Sequence, residues 1–134
     1  MANTFCVVLV ATLFVSGFAV QPYLGLLKGY IHRKSGETRG VLNQQLGLAA
    51  NEVNSRVTTD EQRACVNNQL RNLFAEGNAE VGLATKRLMN LAVSHSASLP
   101  STPTADVYKV VDFEFAKVVN ELPHKVEELN KCLG

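Results

Sequence analysis

The chain has 134 residues, 46% of them apolar and 19% charged, with thirteen Lys and Arg against twelve Asp and Glu. That balance excludes a disordered chain, which lacks the apolar content to build a core, and a nucleic-acid binder that relies on bulk positive charge. The length suits one domain, and the charge along it is graded: residues 20–58 carry five Lys and Arg against two Asp and Glu, residues 59–100 four of each, and residues 101–134 four against six.

From Met1 to Val20 there is no Asp, Glu, Lys or Arg, and an almost unbroken apolar run from Phe5 to Phe14 leads into Ser16, Gly17 and Ala19. An apolar run this short, followed by small residues one and three places before a cut, is the pattern of a secretory signal peptide, whereas a membrane span needs about 20 apolar residues. The n-region departs from the pattern in having no Lys or Arg. The expected organisation is a signal peptide over residues 1–19 and a single helical domain over residues 20–134, secreted and without a membrane span after cleavage.

The next stretch begins at Pro22. Leu42, Leu46, Ala49, Ala50, Val53 and Val57 share a helical face. Upstream, Gly29, Gly36 and Gly40 each lower helix propensity by about 1 kcal/mol relative to Ala, so a break near Ser35 and Gly36 is expected, with Tyr23 to Lys34 as a separate short helix. His32, Arg33, Lys34 and Arg39 form a local basic cluster beside Tyr30 and Ile31, read mainly as a solvated turn.

A second helix is announced by two overlapping capping-box spacings, Thr58 with Glu61 and Thr59 with Gln62. Val66, Leu70, Leu73, Gly77, Val81, Ala84, Leu88, Leu91 and His95 then recur at intervals of three and four, the spacing of one apolar stripe. Ser94 to Asp106, with Pro100 and Pro103, reads as a linker.

The third stretch places Val107, Val111, Phe115, Val118, Leu122, Val126, Leu129 and Leu133 on one face. Val107 to Phe115 is also rich in β-formers, but a strand there has no partner to satisfy its backbone groups, so helix is expected. Pro123 should kink it near Asn120 or start a new turn. Glu121 with Lys125 and Glu127 with Lys131 have i,i+4 spacing.

Short connections make an antiparallel three-helix bundle the expected fold, with a short N-terminal helix as a possible fourth member. Cys6 leaves with the signal peptide, so Cys65 and Cys132 remain in a compartment where disulfides persist. Their heights along the bundle agree, which favours one intramolecular disulfide. Their azimuths argue against it, because Cys65 points about 130° from the centre of its helix's apolar stripe. Free thiols and a bridge between chains are the alternatives.

Motifs for chemistry are weak. Glu121 and His124 have metal-sharing spacing but lack the second such pair that a di-iron bundle requires, and His32, His95 and His124 have no zinc-type spacing. No Gly-x-Ser-x-Gly, Cys-x-x-Cys or Gly-rich phosphate loop is present, so no enzyme activity and no cofactor are expected. The third helix has the widest apolar sector and the most aromatic residues. Its inward residues Val111, Phe115, Val118 and Leu122 are the candidate lining of a cavity for a lipid or fatty acid, expected to hold about 300 Å³ or more. Its outward residues Val110 and Phe113 are the candidate surface for an extracellular protein partner, the alternative function. No nucleic-acid partner is expected.

Overall fold

The computed structural model describes the backbone of residues 2–95 and 104–134, and side chains of residues 23–94 and 104–134. The side chains of the expected signal peptide, and most of the expected linker, therefore lie outside the described residues. Helix α1 spans Ala2–Asn54, α2 Asp60–His95, α3 Ala105–Asn120 and α4 Leu122–Asn130, followed by a 3-10 turn at Lys131–Leu133. Among the described residues there is no strand, and Val107 to Phe115 is helical.

The elements run up, down and up. Ser35 of α1 meets Thr85 of α2, and Leu42 lies against Gly77, so these two helices are antiparallel. Tyr30 meets Asp112, and Arg56 meets Asn130, so α1 runs parallel to α3 and α4. One core joins the three inner stripes: Leu27, Ile31, Leu42 and Leu46 from α1, Val66, Leu73, Val81 and Leu88 from α2, and Val111, Phe115, Leu122 and Leu129 from α3 and α4.

The buried positions repeat every eleven residues, as in Ile31, Leu42 and Val53 on α1, Val66, Gly77 and Leu88 on α2, and Val111 and Leu122 on the third strut. Eleven residues make three turns at about 3.67 per turn, close to the natural 3.6, so the stripes stay in register without the left-handed coiling a heptad imposes. The same repeat carries the α2 stripe from Val81 to Ala92, which is 4% exposed, and leaves the expected stripe member Leu91 at 48%.

Helix α1 contradicts the expected break at Ser35 and Gly36. It is continuous through both residues, so Tyr23 to Lys34 is helical but is not a separate helix. Ser35 and Thr38 are themselves members of the buried stripe, each 7% exposed. Their hydroxyls are satisfied: the Ser35 and Thr85 hydroxyls bond each other at 3.0 Å, and Thr38 donates to the Lys34 carbonyl at 2.6 Å. Burial along an uninterrupted stripe outweighs the weak local propensity of the glycines. The fourth helix is instead C-terminal. Pro123 sits in the first turn of α4, where its missing N–H costs no hydrogen bond, and the break falls at Glu121.

At the start of α2 the reciprocal capping box is formed by Thr59 and Gln62. The Gln62 N–H donates to Thr59 Oγ1 at 3.1 Å, and Gln62 Oε1 accepts from the N–H groups of Thr58 and Thr59. The expected i,i+4 ion pairs of α4 are not made. Lys125 reaches across to Glu80 of α2, and Lys131 pairs with Glu128. A cross-helix carboxylate and a nearer one on the same face capture the two ammonium groups.

Cys65 and Cys132 are bonded, with Cα atoms 5.7 Å apart. The azimuthal difficulty disappears because the chain leaves the α-helical path at Lys131, and the 3-10 turn carries Cys132 toward the flank of α2. Gln62 Nε2 donates to the Leu133 carbonyl at 3.2 Å and fastens the same end.

Candidate functional site

Core residues are not evenly sized along the bundle. At the end of the bundle away from the disulfide, Ala92 of α2 lies across from Val107 and Val111 of α3. Short side chains on these two helices leave room beside Tyr23, Leu27 and Ile31 of α1. An apolar cavity of about 210 Å³ results. Tyr23, Leu27 and Ile31 form its α1 wall. Leu88, Leu91 and Ala92 form the α2 wall, and Val107, Val110 and Val111 the α3 wall. No lining residue carries a charge. Half-exposed Leu91 and Val110, 48% and 56% exposed, edge the opening.

Tyr23 is the one polar side chain of the lining. It is 2% exposed, and its buried hydroxyl has no hydrogen-bond partner. Buried hydroxyls are nearly always paired, but this one is enclosed, so Tyr23 presents ring carbons to the cavity and not its oxygen.

Of the four residues expected to line a cavity, Val111 does so. Phe115, Val118 and Leu122 are buried core residues away from this cavity; Val118 borders a pocket of about 280 Å³ and Phe115 one of about 190 Å³, both with charged residues in their walls. The expected lining was the middle of the third stripe, whereas this cavity lies beside the first turns of α3. The volume is also smaller than the expected 300 Å³. Residues not singled out from sequence, namely Tyr23, Leu27, Ile31, Leu88, Ala92 and Val107, supply most of the lining. They belong to the same apolar stripes as the rest of the core, so their spacing does not set them apart. The two outward residues stand as expected: Val110 and Phe113 are exposed, and the Lys117 ammonium lies 4.7 Å from the Phe113 ring centroid.

Nearby, a polar clamp joins α1 to α3. The Tyr30 hydroxyl donates to Asp112 Oδ1 at 2.6 Å, and Lys34 Nζ lies 3.7 Å from the same oxygen. Tyr30 packs against Tyr108 with ring centroids 4.4 Å apart, and the Arg33 guanidinium lies 5.0 Å from the Tyr30 centroid. The hydrogen bond to Asp112 raises the Tyr30 pKa, with desolvation and the carboxylate charge acting in the same direction. A groove of about 400 Å³ beside this clamp is bordered by Leu26, Gly29, Tyr30, Arg33 and Tyr108. Its tyrosines and Arg33 are engaged with one another, and the clamp reads as a structural tie between helices.

The basic cluster expected at a turn is on the helix and partly neutralised, with Arg33 and Lys34 both beside Glu37. Glu121 and His124 are exposed, and among the described residues no group of three or more His, Cys, Asp or Glu could hold a metal ion. Among those residues no helix is long and apolar enough to cross a membrane. No protein-family profile, curated protein or solved structure matches this chain.

Proposed function

We propose that this is an exported, non-enzymatic binding protein that holds a small apolar molecule between its helices. The observation that carries the reading is the uncharged cavity at the end of the bundle away from the disulfide. Sites for small molecules are concave, mostly apolar and largely pre-formed, with a few polar groups to orient the guest. A cavity of 150 Å³ accommodates benzene, so by proportion this one takes a ligand of about eight non-hydrogen atoms. Export is supported by the charge-free N-terminal run and by the Cys65–Cys132 bridge, which persists in oxidising compartments.

The test is titration of the protein with p-xylene, followed by NMR, beside an Ala92→Leu variant. Ala92 lines the cavity and is 4% exposed, so a larger side chain there fills the void. The expected outcome is saturable binding to the parent and at least tenfold weaker binding to Ala92→Leu, with the fold retained. A parent that binds no apolar probe overturns the reading. N-terminal sequencing of exported material should begin near Val20, a cut that leaves the stripe from Tyr23 onward in the mature chain.

A second reading is docking of an extracellular protein on α3, supported by the exposure of Phe113 at 63% and Val110 at 56%. Here Phe113→Ala removes partner binding in a pull-down of secreted material while leaving p-xylene binding intact.

A further inference from the structure

We propose that the groove of about 400 Å³ beside the Tyr30–Asp112 clamp is a second binding site, one that takes a small aromatic molecule bearing a single carboxylate. Leu26 and the rings of Tyr30 and Tyr108 give it apolar and aromatic surface, and Arg33 is the one charged residue of its wall. Gly29 adds no side chain, and a Cβ built there meets nothing within 4 Å, so the wall is bare at that point. None of these five residues lines the apolar cavity, so the two sites are separate.

The clamp ties α1 to α3, and the contacts that hold Arg33 in it leave donors free. The guanidinium lies over the Tyr30 ring, 5.0 Å from its centroid, and its Nε is 3.7 Å from Glu37 Oε1. Its two terminal nitrogens have no hydrogen bond to the described residues, and the side chain is exposed. A guanidinium held in this way offers a planar fork that matches a carboxylate. Across the groove, the Tyr108 hydroxyl is also unpaired, and the only buried side-chain polar atom without a partner among the described residues is that of Tyr23, so the Tyr108 oxygen is within reach of a guest. The charges select a monoanion. Lys34 is taken by Glu37 and Asp112, at 3.4 and 3.7 Å, so a doubly charged phosphate would meet one cation with Glu37 beside it, and a cationic guest would meet Arg33 and no acid in the wall. Tyrosine rings favour an aromatic body, which packs on them edge to face or offset.

The experiment titrates benzoate and benzamide, alike in shape and different in charge, by NMR into the parent, Arg33→Gln, Gly29→Leu and Lys28→Gln. Thermal melts check that each variant is folded. Lys28 is exposed and does not border the groove, so its loss controls for net charge. The expected outcome is saturable binding of benzoate to the parent, at least fivefold tighter than benzamide, with the Gly29 amide among the most shifted signals. Arg33→Gln should weaken benzoate by about fivefold, the size of one exposed charged pair, and Gly29→Leu should remove binding by filling the groove, while Lys28→Gln leaves it unchanged. Benzamide binding as tightly as benzoate overturns the anionic class. Equal weakening by Arg33→Gln and Lys28→Gln overturns the role of Arg33. Loss of benzoate binding in Ala92→Leu but not in Gly29→Leu puts the guest in the apolar cavity and overturns the second site. A parent that binds no benzoate overturns it outright, whatever p-xylene does.

Discussion

Tyr30 shows how a single side chain couples helix packing to pH. Its hydroxyl donates to Asp112, and forming the phenolate would lose that bond beside an existing carboxylate charge, so the folded pKa lies above the ordinary 10.0. The folded state therefore binds this proton more tightly than the unfolded chain. The resulting stability is fully present below about pH 10 and is lost as the pH rises through the folded pKa. Lys34 acts with the same sign. Desolvation works to lower its pKa, but the charge of Asp112 and the contacts with Glu37 outweigh it, leaving a net rise. Thermal melts across pH 9 to 11.5 should show a fall in stability that is shallower in Tyr30→Phe; identical slopes would remove Tyr30 from the account. None of this was readable locally, since Tyr30 and Asp112 are 82 positions apart. The same holds for Tyr23, whose orphaned hydroxyl is visible only once the opposite walls are in place.

At the scale of the element, the glycines of α1 and α2 separate into two kinds. A Cβ added at Gly36 or Gly40 meets nothing within 4 Å, so Ala should strengthen α1 by up to about 1 kcal/mol at each position. At Gly77 an added Cβ would come 2.6 Å from Leu42 Cδ1 and 3.2 Å from Leu42 Cγ, and Leu42 is fully buried. Overpacking costs about 1–3 kcal/mol, which exceeds the propensity gain of about 1 kcal/mol. Gly77→Ala should therefore lower stability by about 1 kcal/mol, and in a Leu42→Ala background that penalty should vanish. Denaturant unfolding of the four members of this cycle measures the coupling. The periodic spacing made α2 and α3 legible as helices, and Pro123 marked the start of α4. Continuity of α1 was not legible, because Ser35 and Thr38 are polar residues whose place in the apolar stripe depends on hydrogen bonds to Thr85 and within the helix.

For the molecule as a whole, the disulfide ties residues 67 positions apart and fastens the C-terminal turn to the start of α2. Closing so long a loop restricts the unfolded ensemble, so Cys132→Ser should cost about 2–4 kcal/mol, read as a lower denaturant midpoint that matches the reduced parent. An unchanged midpoint would mean the unfolded chain gains little freedom when the bridge is lost. At the opposite end the described residues carry no disulfide, and the 210 Å³ cavity lies between the three helices. The covalent tie and the cavity thus sit at opposite ends of the bundle.

The helical class, the approximate starts and stops of α2 and α3, the third stripe from Val107 to Leu133 and the outward placement of Val110 and Phe113 follow from sequence, because periodicity and capping act over one or two turns. Bridge formation between Cys65 and Cys132 was consistent with axial height, but its azimuth depended on the departure from α-helix at Lys131. The location and size of the cavity were decided by tertiary structure alone. A void is the difference between the volumes three helices enclose and the side chains they bring to it, and that difference exists only after the helices are in register.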